Sequence, residues 1–313
     1  LRYVGLGKET VYGSAVAASC YSPVVASLKP DLNWIIPVPV ADRSYRKKVM
    51  GNYRARGNIG EFEVDPEGLI GYLLLGVFGK ETVTVPDTGV YIHTFKSAST
   101  LPSFTARLGV EVTERVAPGV LVESLTLRFS QGQPVKAQAE IYSGFPESKN
   151  AINSSPAFST LDFFTQQNNA TSFTIGGVES GTLIYDLEVT IKNNIPFNLG
   201  DLSGRTFSTK RYGQREVTGK VSLYFEDTEE MDRFLSGAEF TLAASVAGAT
   251  ITGAHKYGVG FDLRKCVYLK DAVPDITNIS EGLKIVNAPF QAFYDSGLDS
   301  EASATLQNTI STY

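Results

Sequence analysis

Arg43-Ser-Tyr-Arg-Lys-Lys48, followed by Gly51, Gly57 and Asp65-Pro-Glu67, is written twice in this chain. It returns as Arg205-Thr-Phe-Ser-Thr-Lys210, followed by Gly213, Gly219 and Asp227-Thr-Glu229. The shift is constant at 162 positions: 43 to 205, 51 to 213, 57 to 219, 65 to 227. Leu69/Met231 and Leu73/Leu235 extend it, and His93/His255 and Phe95/Tyr257 fall at the same spacing. A gap-free self-match at one period marks a duplicated structural unit. The 313 residues therefore read as two units, 1–150 and 151–313. Each is long enough to bury its own core without disulfides or metals.

Around the repeat the apolar residues alternate. Leu125, Leu127 and Phe129 oppose Ser124, Thr126 and Arg128; Leu187, Val189 and Ile191 oppose Asp186, Glu188 and Thr190. Period-2 patterning with one dry and one wet face predicts antiparallel strands. Each unit also predicts one short helix. The first has Asp65 as N-cap, Pro66 in its first turn, and Leu69, Ile70, Leu73 and Leu74 on its apolar stripe. The second starts at Asp227 with Glu230 reaching back as a reciprocal cap, buries Met231, Phe234 and Leu235, and stops at Gly237. The expected fold class is all-β: two tandem β-sandwich units, each with one flanking helix. Gly7 to Ala15 reads as an arm before the first strand, Gly79 to Gly89 as a hairpin or extended loop, and Ser143 to Thr182 as a crossing segment. The tail from Ser296 to Tyr313 is polar, and either mobile or ordered by a neighbour.

Bulk properties exclude several classes. A net charge of −5 argues against a phosphate-gripping surface. No apolar run approaches the roughly 20 residues that span a bilayer. No signal segment opens the numbered chain, which starts at Leu1 rather than Met. Cys20 and Cys266 do not correspond in the repeat, so no disulfide framework is implied.

Catalytic chemistry finds no foothold. His93 and His255 stand at equivalent places in the repeat with no cysteine beside them, which suits a repeated structural residue better than a metal ligand. The runs Glu61 to Glu67 and Glu226 to Glu230 lack the spacing and turn glycine of a calcium loop. The cluster Arg43, Arg46, Lys47, Lys48, Arg54 and Arg56 loses charge in the second copy, where Glu216 and Thr218 replace Arg54 and Arg56. A nucleic-acid stripe would keep it; pairing with acidic residues of another subunit would not need to. No catalytic, cofactor or metal site is assigned, and no enzymatic activity is expected.

Taken in order, the motifs resemble those of the tail tube proteins of tailed bacterial viruses. Gly7-x-Glu9-x-x-Tyr12-Gly13-Ser14-Ala15 opens the likeness. Arg43, Gly51, Gly57, Asp65-Pro-Glu67, Phe78-Gly79, Tyr91-x-His93-x-Phe95, Leu101-Pro-Ser-Phe104-Thr105 and Ser124-Leu-Thr-Leu127 follow. The likeness covers most of residues 1 to 145 and reaches the second unit through the repeat. It implies tail-tube β-sandwiches whose strands join those of neighbours into an inner barrel, in stacked rings that carry the genome. Members of the family typically bring one such unit to a hexameric ring, so two units per chain imply a pseudo-hexameric trimer. It further implies self-association, tape-measure and tail-terminator partners, DNA only in transit, no membrane and no cofactor. The place of action would be the virion tail after assembly in the host cytoplasm. Residues that define the repeat are Arg43, Gly51, Gly57, Asp65, Arg205, Gly213, Gly219 and Asp227. Candidates to face the lumen are Glu61, Glu63, Glu123, Asp186, Glu188 and Glu226, because an acidic or neutral wall lets phosphates pass. The rival reading is a tail-tip or carbohydrate-binding β-sandwich module.

Overall fold

The computed structural model describes residues 2–36, 48–165, 171–196, 204–207, 209–224, 226, 228–269, 279–280 and 283–313. The first half contains β1 (Arg2–Lys8), β2 (Cys20–Ser22), β3 (Ala26–Asp31), β4 (Trp34–Ile35), β5 (Val49–Met50) and β6 (Arg54–Glu63). Helix α1 (Ile70–Phe78) follows, then β7 (Gly79–Asp87), β8 (Val90–Ser97), β9 (Phe104–Val110), β10 (Thr113–Ser130), β11 (Lys136–Ser143) and β12 (Ser148–Ala151). The second half contains β13 (Thr171–Ile175), β14 (Val178–Glu179), β15 (Ile184–Lys192), β16 (Glu216–Tyr224) and α2 (Glu229–Ser236). It continues with β17 (Phe240–Thr252), β18 (His255–Tyr268), β19 (Ile279–Ser280), β20 (Leu283–Ala292) and β21 (Ser303–Asn308). The fold is β-rich and antiparallel, as the alternation required.

Strand pairing runs in two matching sets. In the first half β3 pairs β6, β6 pairs β11, β11 pairs β10, β10 pairs β9 and β12, and β9 pairs β1. In the second half β15 pairs β16, β16 pairs β20, β20 pairs β18, β18 pairs β17 and β21, and β17 pairs β13. The sets join where β10 pairs β15, from Ser124↔Lys192 to Ser130↔Asp186. One inner sheet thus runs β3-β6-β11-β10-β15-β16-β20 and ends on the last residues of β18. The buried apolar residues form one core through both halves.

Strand β10 serves two sheets. Its first residues pair β9 and β12, and its last pair β11 and β15. The switch falls at Pro118-Gly119, where the register slips between Ala117 and Val120 and Gly119 takes φ 67°. Such a bulge bends a strand and re-aims it. The Glu9 carboxylate fixes it by accepting the N–H groups of Gly119 at 2.8 Å and Gly13 at 2.9 Å, and the Thr105 hydroxyl at 2.9 Å. Residues 7–15 are therefore no arm before the first strand: 7 and 8 end β1, and 9–15 follow it, with Tyr12 edge-on to Phe145.

The helices begin later than the sequence signals suggest. Asp65 stops a separate turn by accepting Glu67 N–H at 3.0 Å, and α1 starts only at Ile70. All nine residues of α1 are buried, under β7, β8 and the C-terminal Tyr313. In α2 the Glu230 carboxylate takes Arg233 and the Tyr268 hydroxyl; its expected cap partner, Asp227, lies outside the described residues. The stripe of α2 is not buried, since Leu235 is 65% exposed. Gly237 ends α2 in the left-handed conformation, as expected.

Of two further expectations one holds and one changes. The crossing segment packs, as its apolar residues required: Phe164 is fully buried, its N–H donating to Val64 O and its carbonyl accepting Val135 N–H. The C-terminal tail is held by its own chain, through β21 and through the Tyr313 carbonyl, which accepts Lys8 Nζ at 2.6 Å.

Candidate functional site: the polar face of the inner sheet

Alternation gives the inner sheet a dry face on the core and a polar face outward. On β6, β11, β10 and β15 the buried residues are Ile59, Phe62, Ala137, Ala139, Leu125, Leu127, Leu187 and Val189. Their neighbours Asn58, Glu61, Lys136, Gln138, Thr126, Arg128, Asp186 and Glu188 point the other way. Bulges tune this pattern: β6 carries an extra residue between Ile59 and Phe62, and β10 slips between Val122 and Ser124.

The polar face is a lattice of paired charges. Arg128 bridges Glu188 on one side and Glu61 on the other, the latter at 3.4 Å, and Lys136 reaches Glu61 at 2.8 Å. Arg56 holds Glu140 at 2.8 Å. Hydrogen bonding to Glu188 and to Glu140 respectively holds the Arg128 and Arg56 guanidinium groups above their ordinary range. Across the β10–β15 seam Thr126 bonds Thr190 at 2.9 Å, and the Ser130 hydroxyl bonds Asp186. These pairs are solvent-exposed, so each adds little stability. Their effect is to present both signs of charge at close spacing.

The six acidic candidates divide. Glu61, Glu63, Asp186 and Glu188 lie on this polar face. Glu123 sits at its margin on the β10 bulge, half-buried, with Oε2 accepting Ile195 N–H at 2.7 Å. Burial pushes its carboxyl up, against that hydrogen bond and the Lys192 and Arg56 charges. Glu226 lies beyond the end of β16, on an exposed bend. Arg128 and Lys136, which neutralise the acids, were missed as site residues, and Arg56, expected to pair with another subunit, pairs with Glu140 of its own chain. The alternation puts them on wet faces, but only strand register shows that they meet Glu61, Glu140 and Glu188.

The repeat-defining residues act in the backbone. A Cβ on Gly57 would lie 1.7 Å from Ser27 O, and one on Gly219 2.4 Å from Glu188 O. A Cβ on Gly51 would meet Asn33 O at 2.5 Å, and one on Gly213 Asn194 O at 2.3 Å; both asparagines have positive φ. Arg205 Nε donates to Gly51 O at 3.0 Å. Arg43 and Asp227 lie outside the described residues, as do Arg46 and Lys47.

The two histidines are not equivalent. His93 is fully buried in β8 between Glu81, which takes Nδ1 at 2.7 Å, and Ile310 O at 2.8 Å from Nε2. His255 opens β18 beside a turn and is only half-buried. Among the described residues the β7–β8 hairpin has no counterpart in the second half, so the sequence match past the helix is not a match in space. Both cysteines are buried, and burial pushes each thiol up to about 12. Among the described residues no group of three or more histidine, cysteine or acidic side chains could hold a metal.

A family model described as phage tail tube protein matches residues 1–292. No curated protein matches the chain.

Proposed function

Since the chain belongs to the phage tail tube protein family, we propose that it is the subunit of a tail tube in which three copies close each ring and rings stack into a conduit for the genome. Two tail-tube units, 1–150 and 151–313, supply the six positions of the ring. The matching sets of strand pairings support this division.

The observation that carries the reading is the β10–β15 seam. There the last inner strand of one half receives the first inner strand of the other, and the sheet continues unbroken. Strand β3 holds the place in the first half that β15 holds in the second, yet among the described residues β6 is its one neighbour. Its other edge, carrying Lys29, Pro30 and Asp31, is available to the next copy; such residues also guard an edge against wrong pairing. Closing the sheet into a barrel removes edges altogether.

The polar face then lines the lumen, with Glu61, Glu63, Asp186 and Glu188 among its acids. A wall of interspersed charges neither grips phosphates nor forms a strong barrier, which suits passage of DNA. Tape-measure and terminator proteins at the tube's core and end, residence in the virion tail and assembly in the host cytoplasm belong to the same reading. The β7–β8 tip around Asp87-Thr88-Gly89, the 7–15 loop and the 143–182 crossing are the proposed ring-to-ring contacts.

Electron microscopy of purified protein tests this. Hollow tubes or rings with threefold symmetry and six similar lobes are expected; dispersed monomers at high concentration, with or without a tail initiator, would refute it. Shortening the β7–β8 tip is expected to change tube length or yield, and an unchanged tube would remove that contact.

A further inference from the structure

Residues 204–207 and 209–215 of the second half contact the first. Tyr53 N–H donates to Arg205 O at 2.8 Å. Phe207 is 6% exposed, packed over Gly144, where a Cβ would come within 2.1 Å of its ring, and against Tyr142. Lys210 Nζ donates to Leu101 O at 2.9 Å and lies over the Tyr12 ring.

The matching segment of the first half is described only from Lys48 on, where Val49 and Met50 lie open. Residues 34–35 and 49–50 form the hairpin β4–β5, Trp34 opposite Met50 and Ile35 opposite Val49. Lys48 stands where Lys210 stands, and Gly51 meets Asn33 as Gly213 meets Asn194. The hairpin's apolar side chains are open: Trp34, Ile35, Ile36, Val49 and Met50 are 42–60% exposed. So dense an apolar patch on a short hairpin marks an interaction surface.

The receiving surface also occurs twice. Strand β11 ends at Ser143 opposite Ala55, with Gly144 next; β20 ends at Ala292 opposite Val217, with Phe293 next. Around Gly144 the bed is filled by Phe207. At the end of β20 Phe293 and Tyr294 are 46% and 54% exposed.

We infer that the β4–β5 hairpin of one copy docks over Phe293 and Tyr294 of a second copy of this chain, as Phe207 docks over Gly144 and Tyr142 within one chain. The contact is heterologous, donor on the first half and acceptor on the second, so it passes in one direction around a closing ring. The inference rests on the tube reading and gives its ring a direction.

Two full-length variants test it, each at an exposed position where a substitution leaves the fold intact. Val49→Asp spoils the donor and Phe293→Asp the acceptor; circular dichroism melts like wild type's are expected for both. By mass photometry wild type forms rings or tubes, and each variant alone stays monomeric. An equimolar mixture gives dimers that grow no further, because the Phe293→Asp copy still offers a hairpin and the Val49→Asp copy still offers a bed. A folded variant that assembles like wild type, or a mixture without dimers, overturns the docking and leaves the tube standing. A wild-type chain that remains monomeric overturns both.

Discussion

Gly57 and Gly219 show what a single residue contributes here. Each lies where a paired strand's carbonyl comes closer than any Cβ allows, Ser27 O in one case and Glu188 O in the other. Gly57→Ala must push β3 from β6, and a cost of at least about 2 kcal/mol in urea unfolding is expected. Gly204→Ala, whose added Cβ meets nothing within 4 Å, is the control with a change under about 0.5 kcal/mol. Glu123 gives a pH signature. Its folded carboxyl titrates above the ordinary 4.5 because burial outweighs the Ile195 N–H. The folded state therefore binds that proton more tightly than the unfolded chain, and stability falls as pH rises from about 4.5 through the raised value. Glu123→Gln removes this component. Denaturation midpoints measured from about pH 4 to pH 7 should shift in the variant's favour across that window, then keep a constant offset. A parallel pair of curves would show that the carboxyl carries no such penalty.

Among the elements, the two helices diverge most. Both were legible from apolar spacing, but the spacing says nothing of what lies over the outer side. In the first half the β7–β8 hairpin and Tyr313 cover α1; among the described residues the second half has no such hairpin. Leu74→Ala, fully buried in α1, should cost about 2–5 kcal/mol, whereas Leu235→Ala in α2 should cost under about 0.5 kcal/mol. Thermal or urea unfolding of the two variants separates these values directly. The helix starts were misplaced for a local reason. Asp65 satisfies its carboxylate within a turn, on Glu67 N–H, before the helix begins, and a cap-like residue followed by proline fits either outcome.

For the molecule as a whole, the continuous inner sheet and shared core predict one cooperative unfolding transition. Near- and far-ultraviolet circular dichroism should give coincident urea curves despite the internal repeat; two separated transitions would mean that the β10–β15 seam is weak. The sequence by itself determined the β-rich class, the faces of strands such as Leu125 to Phe129, and the glycines at 51, 57, 213 and 219. These rest on period-2 burial and on steric limits that act within a few residues. Tertiary structure alone decided that Arg128 meets Glu61 and Glu188, that His93 and His255 are unlike, and that Leu235 is left open. It also decided that Glu9 holds the bend in β10. Each of these depends on register and on which segment lies over another. Register turns on bulges at Gly60, Glu123 and Gly119, where one inserted residue changes every later pairing, and alternation reads the same on either side of such a slip.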